Sequence, residues 1–211
     1  MRHEWPLVAR DGKRILFVGT QGGAELSAYD FRLREFVPYL GGISAESVSF
    51  SKDGEWVAYV RLPEGTLWRM RKDGSGRLQL TFPPIRASLA RWSPDGRYLA
   101  ALTLGDDNLM LFDFKAQRWE NLSNMGAAYP SWSENARYVY HYAFSYPYQT
   151  VRFYRTEIAT RRTEEVASVG DVRLFRGSHG YGWLGVTPEG SPLAARDIGT
   201  QEIYALDVDF H

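Results

Sequence analysis

Short apolar runs rich in aromatic and β-branched side chains recur along the chain, cut by pairs such as Asp-Gly and Glu-Gly. Runs of that kind read as strands, and the pairs between them supply the positive φ that a tight hairpin turn needs. The turn segments VARDG, FSKDG, WSPDG, WSENA and VTPEG end at Gly12, Gly54, Gly96, Ala136 and Gly190, at intervals of 42, 42, 40 and 54 residues. After each comes a second run: RILFVG, WVAYV, YLAALTL, YVYHYAF and PLAARD. Third runs follow as ELSAYDF, TLWRMR, NLMLFDF, VRFYRTEI and EIYALDV, where Asp30, Asp113, Glu157 and Asp207 recur near the far end. An acidic side chain there ends a strand by bonding local backbone amides. Fourth runs are REFVPYL, RLQLTF, RWENLS and EEVAS. Apolar spacing of three and four residues is not sustained anywhere, so no helix is expected.

A repeat of roughly 40 to 45 residues with four strands is the period of a propeller blade. The sequence therefore predicts an all-β chain, a β-propeller of five four-stranded repeats forming one domain over 1–211. The repeats lie at about 4–41, 45–83, 87–123, 127–168 and 182–211, and the long last interval places an inserted loop at 168–182. The fifth repeat has no fourth run before His211, and few residues precede the first inner strand. The expectation is an incomplete last blade, a ring whose closure is open, and an exposed edge that invites self-association.

A lone blade has two apolar faces and covers neither, so blades stack face to face around an axis. Phe50, Trp92 and Trp132 share one repeat position and are expected to pack between neighbouring blades. Arg91 and Ser131 alternate with them along the strand, and line the central tunnel if the aromatics face a neighbour.

Composition changes this picture little. Seven Trp, 13 Tyr and 11 Phe in 211 residues suit pleated, half-buried strands. Twenty-five basic residues balance 25 acidic ones, so nucleic acid and anionic membranes are not expected partners. Without cysteine there is no disulfide, thiolate metal site or cysteine nucleophile, and the compartment stays open. The opening MRHEWPLVARDG has no signal-peptide pattern, and no run approaches the ~18 apolar residues of a membrane span.

The string RWSPDGRYLAALT from Arg91, with FSKDGEWVAYV from Phe50 and LQLTFPP from Leu78, resembles the TolB-type, WD-repeat-like propeller repeat of bacteria. That resemblance spans nearly the whole chain and implies a fold rather than an activity. The phrases GTQEIYALD, EGTLWRMRKDG and LMLFDF further resemble the C-terminal propeller of bacterial winged-helix transcriptional regulators. The likeness implies the sensory part of a regulator. It carries no DNA binding over, because the DNA-binding domain of those regulators has no counterpart in this sequence.

Candidate chemistry is sparse. His141 sits in a second strand where other repeats hold Phe17, Tyr59, Ala101 and Ala195, which favours a packed imidazole with one hydrogen bond over a ligand. His179 lies in the Gly-rich loop GSHGYGW beside Tyr181 and Trp183. Together with Tyr146 and Tyr148 these aromatics offer a face on which a sugar would stack. Asp106 and Asp107 read as turn formers, and Arg161 and Arg162 as a solvated hairpin tip. No His pair has metal-ligand spacing, and no G-x-S-x-G, phosphate loop, H-E-x-x-H or dinucleotide turn is present, so no catalytic residue, metal or cofactor is assigned.

The leading expectation is a non-catalytic scaffold for protein interaction or sensing, with Arg91, Ser131, His179, Tyr181, Trp183, Tyr146 and Tyr148 as the candidate surface. A carbohydrate-binding propeller is the first alternative. A glycoside hydrolase or lyase with tunnel carboxylates is the second, and a recombined fragment without independent function the third.

Overall fold

A computed structural model describes residues 2–8, 15–20, 24–144, 151–170, 172–175 and 184–200, which contain 18 strands and no helix. The first unit comprises β1 (Arg2–Val8), β2 (Ile15–Thr20), β3 (Ser27–Asp30) and β4 (Glu35–Pro38). The second has β5 (Ala45–Phe50), β6 (Trp56–Arg61), β7 (Thr66–Arg71) and β8 (Leu78–Gln79). The third has β9 (Ala87–Trp92), β10 (Tyr98–Thr103), β11 (Leu109–Asp113) and β12 (Arg118–Ser123). The fourth has β13 (Ala127–Trp132), β14 (Tyr138–Phe144), β15 (Val151–Glu157) and β16 (Thr163–Ser168), and the fifth β17 (Leu184–Val186) and β18 (Pro192–Ala194). The second, third and fourth units are each one antiparallel four-stranded sheet in chain order.

The turn between first and second strands is built by its serine as much as by its Asp-Gly pair. Ser93 Oγ donates to Asp95 Oδ1 at 2.6 Å and accepts the Tyr98 amide at 2.8 Å, while the Asp95 carboxylate accepts the Arg97 amide at 3.1 Å. Ser51 and Asp53 repeat this in the second unit and Ser133 and Asn135 in the fourth. At the far end, Asp113 Oδ1 accepts the Lys115 and Ala116 amides at 2.7 and 3.1 Å, and Asp30 does the same for Arg32 and Leu33. Glu157, one methylene longer, instead accepts from the Thr160 hydroxyl and Arg137.

The alternation of each central strand feeds two different cores. In β10, Leu99 and Ala101 join Ala58, Val60 and Leu67 of the second unit. The residues between them, Tyr98, Ala100 and Leu102, join Ala127, Val139 and Ile158 of the fourth. Blades therefore stack face on face, each burying both sides. Trp119 Nε1 donates across the first of these interfaces to Leu80 O at 2.6 Å, and Trp132 Nε1 across the second to Arg91 O at 3.0 Å. Trp92 is buried and stacks on Phe114 with ring centroids 4.8 Å apart.

Phe50 departs from the expected core position: it is 46% exposed and tilts against Tyr39 at 6.4 Å. The reason lies in the first unit, which forms two separate two-stranded sheets, β1-β2 and β3-β4, and so offers no continuous face to cover it. Arg161 also departs from the solvated tip expected of it. Its guanidinium pairs with Glu120 of the neighbouring blade, whereas Arg162 is exposed.

Each central inner strand carries a bulge, at Ser47, Leu89 and Tyr129, where φ is 52°, 49° and 48°. In the fifth unit Leu184 pairs with Ala194, and Leu174 forms an isolated bridge with Arg196. Much of the expected inserted loop, and the fifth unit's third run, lie outside the described residues. At the turn before β18, Gly190 has φ 91° and a Cβ there would fall on the Tyr140 hydroxyl, so the fifth unit meets the fourth through a position that needs glycine.

Candidate functional site

Residues of the inner strands β5, β9, β13 and β17 and of the turn after β17 line an open cavity of about 380 Å³. Ser49, Arg91 and Ser131 contribute polar side chains to its wall, joined by Thr187 from the turn after β17. Trp92, Trp132, Val186 and Pro188 supply the apolar part. Alternation along the strand explains the arrangement: the residues flanking Arg91, Ala90 and Trp92, are buried between blades, which leaves Arg91 half-buried toward the axis. Ser49, Arg91 and Ser131 stand at one repeat position, each five residues before its turn marker, and pair with Ala58, Ala100 and Tyr140 on their second strands. The fifth repeat has Gly185 there.

Arg91 Nη1 donates to Ala90 O at 2.9 Å, and among the described residues no carboxylate belongs to the cavity lining. Thr187 Oγ1 accepts the Ser191 amide at 3.1 Å. The structure thus brings together two of the candidate residues, Arg91 and Ser131, and adds Ser49 and Thr187, which sequence reasoning passed over. Ser49 was visible in principle, being the second-repeat counterpart of Arg91 and Ser131. His179, Tyr181, Trp183, Tyr146 and Tyr148 lie outside the described residues.

Away from the axis, His141 is buried in the fourth blade, with Nε2 3.3 Å from Thr156 Oγ1 and its ring stacked on Tyr154. Burial pushes its imidazole down to about 4. Asp106 closes its turn by accepting from Thr103 Oγ1 at 2.5 Å and Asn108 Nδ2 at 2.6 Å. Among the described residues no three His, Asp or Glu side chains gather in a metal-binding group, and no helix is long and apolar enough to cross a membrane.

Comparison with solved structures gives the architecture a wider setting. TolB from Acinetobacter baumannii superposes with a TM-score of 0.56 at 16% identity, over 90% of this chain and 47% of that one. The chain has a TolB-like propeller fold. A putative TolB from Agrobacterium tumefaciens matches at TM-score 0.54 and 17% identity, over 94% of this chain and 91% of that one. An oligogalacturonate lyase in complex with manganese matches at 0.57 and 12%, over 94% and 66%. The chain thus spans about half the length of the Acinetobacter TolB structure and just under two thirds of the lyase. Identities this low speak for fold alone. No family model matches the sequence, and comparison with curated proteins gives no match.

Proposed function

We propose that the chain is a non-catalytic propeller scaffold that takes up its partner at the axial cavity. The observation that supports this is the cavity wall, to which four successive units contribute hydroxyls, a guanidinium and aromatic surface and, among the described residues, no carboxylate. A wall of that kind suits recognition, since the described residues lining it include no acid-base pair with which to move a proton. The strongly shifted histidine, His141, is sequestered inside a blade where a partner would not reach it. In its finer form the reading makes the chain the sensory part of a regulator, as its resemblance to winged-helix regulator propellers suggests.

A photo-reactive aromatic amino acid placed at Ser131, and separately at exposed Lys115 on the turn between β11 and β12, tests the reading in cells that naturally make the chain. A discrete cross-linked protein from position 131 and none from 115 is expected. No adduct at 131, or the same adducts from both positions, would overturn it.

A further inference from the structure

The arginines of this chain divide by what neutralises them. Several pair with an acid: Arg97 with Asp113 at 3.1 Å, Arg137 with Glu157 at 2.8 Å, Arg173 with Asp197 at 3.1 Å. Arg69 has no acid but lies over Trp56 at 4.2 Å and Phe114 at 5.1 Å, sandwiched between two blades. Arg91 has neither among the described residues. Its guanidinium carries five N–H donors, of which one is engaged, by the carbonyl of the preceding residue. Arg91 thus presents a half-buried guanidinium on an open cavity, with no acid paired to it among the described residues and most of its donors unclaimed.

The groups around it point the same way. Ser49 and Ser131 make no side-chain hydrogen bond among the described residues, though their hydroxyls share the cavity with Arg91. Trp92, on the same wall and 9% exposed, has a buried indole N–H without a partner, whereas the equivalent Trp132 spends its N–H on Arg91 O. The unclaimed Arg91 donors therefore stand beside two hydroxyls able to donate or accept, and the repeat position that is Ser in the units on either side is charged in one unit alone.

We infer that the axial cavity binds a small hydroxylated carboxylate, with the carboxylate held by the Arg91 fork and its hydroxyls by Ser49, Ser131 and Thr187. A planar guanidinium matches a carboxylate with two parallel N–H···O bonds. One positive charge in the wall suits one negative charge in the ligand, which favours a carboxylate over a phosphate dianion. The cavity volume of about 380 Å³ is of the size that a small molecule fills. The inference rests on the reading that the axial cavity is the working surface, and it names the chemistry that this surface selects.

Titration of the intact chain with gluconate, sorbitol and inorganic phosphate, followed by calorimetry and by the fluorescence of the cavity tryptophans, tests it. Gluconate is expected to bind saturably, at least tenfold more tightly than sorbitol or phosphate. Arg91→Gln is expected to lower gluconate affinity at least tenfold, with Arg91→Lys intermediate and exposed Arg162→Gln without effect. An unchanged urea midpoint in Arg91→Gln would show that the loss is not one of folding. Gluconate failing to bind, sorbitol or phosphate binding as well as gluconate, or Arg91→Gln retaining full affinity would each overturn the inference. If the Ser131 cross-link persisted in that event, axial docking would stand without the anion; if it vanished too, both readings would fall.

Discussion

The third blade and the first unit carry the same turn marker and the same succession of runs, yet they end differently. In the third blade, Leu99, Leu109 and Leu111 are fully buried, and both faces of the sheet meet a neighbour. In the first unit the strands pair two by two, and the aromatic side chains of β3, β4 and their turn stay outside: Phe31 is 87% and Phe36 72% exposed, touching Tyr29 edge-on. Where the third repeat has Ser93 to lock the turn to the following strand, the first has Ala9, which has no hydroxyl to offer. The first and second strands of the first unit pair all the same, so what the third blade adds is a neighbour on each face.

Substitutions at matching positions sharpen that contrast. Trp92→Ala is expected to destabilise by roughly 3 to 5 kcal/mol, since it empties a space between two blades, whereas Phe50→Ala should cost less than half of that. Urea unfolding of both variants measures the difference; equal losses would break the comparison. Next in size, Ser93→Ala leaves the buried Tyr98 amide and Asp95 short of a partner, and should cost about 1 to 3 kcal/mol. Thr187→Ala, which releases an exposed amide at the flank, should lie within about 0.5 kcal/mol of wild type by the same measurement.

An effect of about the size of the Ser93 loss concerns pH. The His141 imidazole is held neutral by burial, with its value pushed from 6.5 to about 4. The stability this contributes is complete above 6.5 and is lost as pH falls from there toward 4, because the unfolded chain takes up the proton first. Between pH 7 and pH 5.5 the wild type should therefore lose about 1 kcal/mol more than His141→Gln. A pH response unchanged by the substitution would show that the fourth blade does not enclose the ring.

Much of this was legible in the sequence because it is local. Ser-x-Asp-Gly and the strand-ending Asp act through hydrogen bonds to residues within five positions, so the fold class could be read from spacing. The same alternation put Arg91 and Ser131 on one strand face. Exposure of Phe50 was not legible, since it depends on how the first unit pairs. The bulges at Ser47, Leu89 and Tyr129 were hidden because none is glycine, so positive φ left no compositional trace. Arg161 looked like a solvated tip because Glu120, its partner, is on another blade.

Radial stacking brings one repeat position of adjacent blades side by side, as at Ser47, whose hydroxyl accepts the Leu89 amide at 3.4 Å. Because the chain has no cysteine, Ser47→Cys with Leu89→Cys, treated with a short thiol-reactive bifunctional reagent, reads that neighbourhood directly. Efficient intramolecular bridging is expected, with none for Ser47→Cys paired with Lys115→Cys. Bridging of the second pair, or failure of the first in a folded chain, would contradict the arrangement of blades about an axis.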